Sequence, residues 1–327
     1  ALVTHQLTHK GCAASIAAKA TGVDVVSIEP RNSLSSTVNR RVSPMDRIDE
    51  QRRKELEQIG NELRVAVVKS IYNAGSGHLG GSLSAADILA ALYFEKMRIN
   101  PDEPDWDERD RFVLSKGHAG PILYATLAMR GYFPVEELST LRKMGSRLSG
   151  HPACFKAPGV DMTSGSLGHG LSVGLGMRLA GRVRGKDYRV FVLLGDGELQ
   201  EGQVWEAAMA VAHFKVDNLV AIVDYNRVQL DGTIDEIMEV APLADKWRSF
   251  GWQVLTMDGH DMGDILDNLD EAIAQSQEGP VVIIADTVKG KGVSFMEGKS
   301  AWHGRAPTEE EYRQALAELG EQGGVGV

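Results

Sequence analysis

The sequence has little cysteine, no excess of basic residues and no long hydrophobic run. Its two cysteines, Cys12 and Cys154, are too few for a disulfide framework or a cysteine metal site, so we expect a reducing, cytoplasmic setting. Acidic residues outnumber basic ones by 45 to 35, and the net charge of −10 excludes the electrostatic footprint of a nucleic-acid-binding protein. The longest apolar runs, such as residues 281–285, are only as long as a β-strand, so no membrane-spanning segment is predicted.

The sequence does contain enough hydrophobic material for one large domain. Of its 327 residues 43% are hydrophobic, which suits an α/β domain with a full core. We expect this domain to span residues 44–320 and to open with a helix that Ser43 caps. Residues 1–43 are poor in acids and rich in Ser, Thr, Ala and Arg, a composition that transit peptides share. We interpret them as a loosely ordered arm, and residues 321–327 as a glycine-rich tail.

The middle of the sequence predicts a β-α-β unit. Residues 188–194 and 219–223 are short apolar runs typical of buried strands, and residues 201–215 between them carry apolar residues at helical spacing. Asp196 and Asn226 follow the two predicted strands. The strands of such a unit are parallel and end at the same edge of the sheet, where α/β proteins bind ligands. We therefore predict an α/β fold with Asp196 and Asn226 together at that edge.

Two interpretations of this edge are open on the residues alone. A carboxylate and an amide offer hard oxygen atoms that suit Mg²⁺, with Ca²⁺ as the alternative ion. Gly195 and Gly197 would let a phosphate approach the backbone and the N-terminus of the following helix. The sequence thus fits a metal-bridged diphosphate site. It fits equally a tight strand-to-helix turn in which Asp196 caps the helix.

The amino-acid sequence of this segment resembles the thiamine diphosphate-binding motif. The run GDGELQEG, followed by DYN about thirty residues later, is similar to the motif of transketolases. The resemblance implies a parallel sheet sandwiched between helices, with Asp196, Asn226 and the backbone carbonyl of Val228 as metal ligands and Gly197 against the cofactor. The family motif often ends in two asparagines; here Tyr225 replaces the first, and Asn226 keeps the place of the ligand.

Four histidines stand in segments that resemble transketolase motifs. The resemblance places His78 in the substrate channel, His118 beside the cofactor diphosphate, His151 at the reacting carbons, and His303 against both diphosphate and substrate. A single histidine in a glycine-rich turn is most often a surface residue, but four matches in separate segments support one another. All four are predicted catalytic residues, since neutral histidines suit proton transfer at sugar hydroxyls.

The resemblance assigns further cofactor contacts and leaves some residues without a role. The loop with Gly165 and Leu167 would lie against the aminopyrimidine ring. The resemblance also counts Glu201 among the catalytic and cofactor-binding residues, in the carboxylate network at the subunit contact. The alternative is an acid that the helix dipole favours at a helix start. His169 is interpreted as a supporting or packing residue and not as a catalyst. His260 could line the ligand-binding edge, but we interpret it as a turn residue. Residues 289–292 are predicted to form a solvated loop.

The family's activity is the transfer of a two-carbon ketol unit from a ketose phosphate to an aldose phosphate. Full-length transketolases add a pyrimidine-binding domain, whose glutamate activates the cofactor of the facing subunit. We therefore expect this chain to be the N-terminal subunit of a split transketolase. Its expected partner is a C-terminal subunit with the pyrimidine-binding domain, in an α2β2 assembly that takes sugar phosphates and needs neither nucleic acid nor membrane.

Two other classes of function remain open at this stage. One is the diphosphate-binding subunit of a different thiamine enzyme, either a 2-oxo acid dehydrogenase α subunit or a deoxyxylulose-phosphate synthase. The other is a non-catalytic regulatory subunit that retains the cofactor fold. The donor and acceptor sugars are not determined by the sequence, and pentose phosphates are only the default.

Overall fold

The computed structural model describes residues 49–320. The predicted arm at residues 1–43, the predicted helix start at Ser43 and the tail at 321–327 lie outside this range. The first described helix, α1 (Glu50–Ala74), is capped by Asp49, whose carboxylate accepts the backbone N–H of Arg52 at 2.7 Å. It ends at Gly75, whose φ of 65° is the left-handed conformation that glycine adopts without strain.

Five parallel strands form the sheet at the centre of the fold. They are β1 (Arg111–Leu114), β2 (Val190–Gly195), β3 (Leu219–Tyr225), β4 (Gln253–Asp258) and β5 (Val281–Asp286). Their order across the sheet is β1-β2-β3-β5-β4, and every neighbouring pair is parallel. The predicted β-α-β unit is therefore confirmed, with β2 and β3 as direct neighbours.

Helices cover both faces of this sheet, as its apolar strands require. The structure contains α2 (Gly80–Leu83), α3 (Ala86–Ala91), α4 (Gly120–Met129), α5 (Gly170–Val183), α6 (Gly202–His213), α7 (Ile234–Ile237), α8 (Leu243–Ser249), α9 (Met262–Gln275) and α10 (Glu309–Glu318). A π-helical turn (Leu92–Lys96) extends α3. The part of the chain that the structure describes contains no helix long and apolar enough to span a membrane.

The core divides into two layers because side chains alternate along the strands. Phe191 and Leu193 of β2 pack into the cluster that includes α1, α3, α4 and α9. Val190, Val192 and Leu194 point to the other face and pack with residues of α6 and α8. This arrangement confirms the predicted sheet between two layers of helices.

Ser84 does not have the role that its position predicts. The pattern from Ser84 to Asp87 is typical of a helix cap, but the residue that precedes α3 is Ala85, and no side chain caps this helix. The Ser84 hydroxyl instead donates to the buried carboxylate of Asp224 at 2.6 Å. A buried carboxylate needs every donor within reach, and this demand outweighs the local capping preference.

Gly174 on α5 tests how closely the helix layer packs on the sheet. A Cβ at Gly174 would lie 2.6 Å from Cγ2 of Val192 on β2, whereas a Cβ at Gly176 in the same helix would meet nothing within 4 Å. We expect Gly174→Ala to lower the free energy of unfolding by ~1–3 kcal/mol through overpacking. Gly176→Ala is the matched control and should raise it by ~0.5–1 kcal/mol, because alanine favours the helix. Urea unfolding of both variants measures this, and equal effects would contradict the packing.

Candidate active site

Asp196 is buried where β2 ends. Gly195 pairs with Asp224 in the sheet register, so the loop after β2 starts beside the end of β3. Asp196 is only 3% exposed, and its carboxylate accepts the backbone N–H of Gly197 at 2.8 Å and that of Arg227 at 2.5 Å. Burial, and after it the neighbouring Asp224 carboxylate, raises the pKa of Asp196 to about 7. A divalent cation beside this carboxylate would favour its charged form.

The other two predicted metal ligands lie in the loop that Asp196 holds. The side-chain oxygen of Asn226 accepts the N–H of Val228 at 3.2 Å, and the Val228 carbonyl accepts the Lys289 ammonium at 2.7 Å. Within residues 49–320 no three His, Cys, Asp or Glu side chains gather into a metal-binding group. A metal here would depend on one carboxylate, one amide and one carbonyl, an all-oxygen set that fits Mg²⁺ or Ca²⁺.

Lys289 shows where the sequence interpretation of residues 289–292 as a solvated loop is wrong. Its side chain is buried, and its ammonium lies 2.9 Å from Nδ1 of His303 as well as donating to Val228. The aliphatic part of the Lys289 side chain packs against Gly80, where an added Cβ would lie 2.8 Å from Cγ of Lys289. Burial lowers the pKa of Lys289 to about 8. No local signal marks this residue, because the groups that receive the ammonium are distant in sequence.

The four predicted histidines form one cluster. Ring centroids are 5.3 Å apart for His78 and His118, 5.3 Å for His78 and His303, 5.0 Å for His118 and His303, and 6.2 Å for His78 and His151. His118 and His303 stack at an interplanar angle of 27°. The histidine cluster meets the metal-ligand loop through Lys289, which contacts both His303 and Val228. The four histidine segments, the metal-ligand loop and the segment of Lys289 thus form one site.

The histidine cluster is neutral at physiological pH. Burial is the largest cause of the lowered pKa at each member, to about 4 at His78, to about 3 at His303 and well below the ordinary value at His118. Lys116 adds to the effect at His118 and Lys289 adds to it at His303. The pKa of His151 is lowered by burial and then by Arg142, which also lowers that of His78. Neutral rings can both donate and accept a proton.

The second glycine loop joins this site through Gly165. Its φ of 148° disfavours any other residue, and a Cβ there would lie 3.4 Å from the His151 ring. The predicted contact residue Leu167 is half-buried in the same loop, and its carbonyl lies 3.0 Å from Nδ1 of His169. His169 itself is exposed. The loop thus lies beside His151 of the histidine cluster. Its contact with the aminopyrimidine ring stays a prediction.

Glu198 holds the two glycine loops together, a role that the sequence analysis missed. It is 2% exposed and accepts the backbone N–H groups of Gly168 at 2.8 Å and Gly195 at 3.0 Å. The Ser115 hydroxyl also donates to it. Burial raises the pKa of Glu198 despite these hydrogen bonds. Its place inside the GDGELQEG motif is a signal that could have directed attention to it.

Glu201 lies at the start of α6 and is exposed. It occupies the cap position, yet its side chain makes no capping hydrogen bond. Its Cβ lies close to Gly168, where an added Cβ would approach to 2.8 Å. The predicted place of Glu201 in a network at a subunit contact stays a prediction.

The family model described as transketolase, thiamine diphosphate binding domain, matches residues 56–323. A 6-deoxy-6-sulfo-D-fructose transketolase subunit from Clostridium sp. strain MSTE9 is 47% identical over 82% of this chain and 98% of that protein. An apulose-4-phosphate transketolase subunit from Phocaeicola vulgatus is 46% identical over 82% of this chain and 94% of that protein. Human transketolase is 40% identical over 83% of this chain but only 43% of its own length.

The solved structures that resemble the chain carry the same family name. Pichia stipitis transketolase in complex with sedoheptulose-7-phosphate has a TM-score of 0.77 and 33% identity, covering 81% of this chain and 41% of that one. Leishmania mexicana transketolase has a TM-score of 0.76 and 32% identity with the same coverage. The chain therefore spans about two fifths of these transketolases.

The raised pKa of Asp196 gives a testable pH dependence in the metal-free chain. Its carboxyl ionises near its ordinary value of 3.8 when unfolded and near 7 when folded, so the folded state binds more protons between these values. The contribution of Asp196 to the stability of the wild type therefore falls as the pH rises from about 4 to about 7. Asp196→Asn should gain stability relative to wild type across this window, by ~2–4 kcal/mol at ~1.4 kcal/mol per pKa unit.

Urea unfolding at pH 4.5, 6 and 7.5 with a chelator present measures this difference. Asp231→Asn, at an exposed aspartate, is the control and should leave the pH dependence unchanged. A constant difference between Asp196→Asn and wild type at all three pH values would contradict the assigned environment of Asp196.

Proposed function

The chain belongs to the transketolase family as its thiamine diphosphate-binding domain, and from this membership we propose that it is the N-terminal subunit of a split transketolase. It would transfer a two-carbon ketol unit from a ketose phosphate to an aldose phosphate. The observation that carries the proposal is the meeting of the histidine cluster and the Asp196 loop at Lys289. This arrangement offers groups for a diphosphate and for a sugar within one site.

Asp196, Asn226 and the Val228 carbonyl are the proposed ligands of Mg²⁺, with Ca²⁺ as the alternative. The support is their oxygen-only chemistry and the buried Asp196 carboxylate, whose charged form a cation would favour. His118, His303, Gly197 and the loop with Gly165 and Leu167 are the proposed contacts of thiamine diphosphate. To these we add Lys289, whose buried ammonium suits a phosphate oxygen.

The bound cofactor supplies the nucleophilic carbon for cleaving and forming carbon–carbon bonds. The chain's own residues bind and orient the sugar and move protons at its hydroxyl groups. The neutral His303 accepts the Lys289 ammonium at Nδ1, so its hydrogen is on Nε2, which makes Nε2 a donor. His78 and His151 are the proposed groups for proton transfer at the reacting carbons, because both are neutral and their ring centroids lie 6.2 Å apart in the cluster.

A C-terminal subunit with a pyrimidine-binding domain is the proposed partner, in an α2β2 assembly. The relatives that match almost end to end are named transketolase subunits, which supports a second polypeptide. Glu201 is exposed and is free to join the proposed carboxylate network at the contact. A role in the pentose phosphate pathway and a cytoplasmic location stay predictions. The relatives are named for 6-deoxy-6-sulfo-D-fructose and for apulose-4-phosphate, so an anionic sugar is the proposed substrate class.

Mixing the chain with its candidate partner tests this function. We expect ketol transfer between a ketose phosphate and an aldose phosphate only when both polypeptides, thiamine diphosphate and Mg²⁺ are present. His78→Ala should lower kcat by ~10²–10⁴-fold, the usual contribution of acid–base catalysis. His213→Ala, at an exposed histidine outside the cluster, should retain activity.

The outcomes of the mixing assay separate the alternatives. Full turnover by the isolated chain would overturn the split enzyme. Absence of transfer from the mixture, with the cofactor bound, would favour the non-catalytic regulatory subunit. Turnover with a 2-oxo acid in place of a ketose would assign the chain to another class of thiamine enzyme.

A further inference from the structure

A line of three buried polar side chains lies behind the loop that carries Lys289. Arg64 on α1 forms a two-pronged ion pair with Asp87 on α3, at 2.9 and 2.5 Å. Nδ1 of His260 lies 2.8 Å from the same carboxylate, and its Nε2 accepts the backbone N–H of Val288 at 2.8 Å. Arg64 and Asp87 are 6% exposed, and the His260 side chain is 9% exposed. His260 lies in the turn that the sequence predicts, and its side chain in addition forms a buried link between Asp87 and Val288.

These contacts fix the hydrogen position on His260. A ring nitrogen that accepts an N–H carries no hydrogen, so Nε2 is the acceptor and Nδ1–H donates to Asp87. The contacts with His260 and Arg64 outweigh burial and hold the pKa of Asp87 below its ordinary value. Gly60 makes the approach feasible, because a Cβ there would lie 2.5 Å from the Asp87 carboxylate. The side chains of Arg64, Asp87 and His260 are therefore each held in one orientation.

Val288 connects this buried line to the candidate active site. The next residue is Lys289, whose ammonium contacts the Val228 carbonyl and His303. A second anchor follows at Gly290, whose N–H donates to the Gly80 carbonyl at 3.0 Å. The backbone of Lys289 is therefore fixed on both sides. A long lysine side chain loses considerable rotamer freedom on burial, so its placement depends on a rigid backbone.

We propose that His260, supported by Asp87 and Arg64, is a positioning residue that sets the placement of Lys289 for the cofactor diphosphate. This inference rests on the proposed function. His260 touches neither metal ligand nor histidine cluster, and it acts through the Val288 N–H alone. Without the Nε2 acceptor of His260, the Val288 N–H loses its hydrogen bond and one anchor of the loop is lost. The Lys289 ammonium then spends less time in contact with the Val228 carbonyl and His303.

Two substitutions of similar size separate positioning from general stability. The Gln oxygen reaches about as far as Nε2 of histidine, so His260→Gln retains an acceptor for Val288 and loses the donor to Asp87. The Asn amide reaches only as far as Nδ1, so His260→Asn retains the donor to Asp87 and loses the acceptor. Both variants should lose stability to a similar extent. Only His260→Asn should weaken thiamine diphosphate binding, by ~10-fold, with His260→Gln within ~3-fold of wild type.

Calorimetric titration of thiamine diphosphate with Mg²⁺ into the chain and its partner subunit measures these affinities. The same titration in a Lys289→Met background supplies the second arm. There, His260→Asn should cause no further loss, because the side chain that it positions is absent. Equal weakening by Asn and Gln, or an undiminished loss in the Lys289→Met background, would overturn the positioning role.

Amide hydrogen exchange of the cofactor-free chain tests whether His260 anchors the loop, and this test does not depend on the proposed function. The Val288 amide should exchange ~10-fold faster in His260→Asn than in His260→Gln or wild type. Absence of cofactor binding by the wild type, with this exchange pattern intact, would reject the proposed function and retain the loop anchor. Equal Val288 exchange in both variants would reject the anchor itself.

Discussion

The buried ion pair between Lys116 and Asp224 is the interaction on which the carboxyl edge of the sheet depends. The two residues are 1% and 0% exposed. The Asp224 carboxylate also accepts from Ser84, Asn226 and Thr287, and Lys116 donates further to a backbone carbonyl. Buried charges are tolerated only when they are paired and fully hydrogen-bonded. This one carboxylate therefore fixes the four segments that carry the metal-ligand loop, Lys289 and two of the clustered histidines.

The electrostatics of the edge indicate a site prepared for charged ligands. Burial lowers the pKa of Lys289 to about 8 and raises that of Asp196 to about 7, so both groups are held in surroundings that disfavour their charges. The proposed cation would stabilise the charged form of Asp196, and the proposed diphosphate would stabilise the charged form of Lys289. Perturbed groups of this kind concentrate at functional sites, where stability and function are in conflict. The neutral histidines complete the site without adding charge.

The sequence predicted the elements of the fold better than the contacts between distant polar side chains. Apolar runs and helical spacing located β2, β3 and α6, and parallel pairing placed Asp196 and Asn226 at one edge. Family motifs, not periodicity, selected the four histidines. The buried polar links were missed because Lys116 and Asp224 lie 108 residues apart and Asp87 and His260 lie 173 apart. Periodicity reports which face is apolar, and it carries no information on which distant polar groups pair.

The most direct test of the account is calorimetric titration of thiamine diphosphate into the assembled subunits, with and without Mg²⁺, for wild type, Asp196→Ala and Asp231→Ala. We predict Mg²⁺-dependent binding at one cofactor per chain for wild type and Asp231→Ala. Asp196→Ala should bind at least ~100-fold more weakly, or ~2.7 kcal/mol. Equal affinity of Asp196→Ala and wild type, or binding that needs no divalent cation, would contradict a metal-bridged diphosphate site at this edge of the sheet.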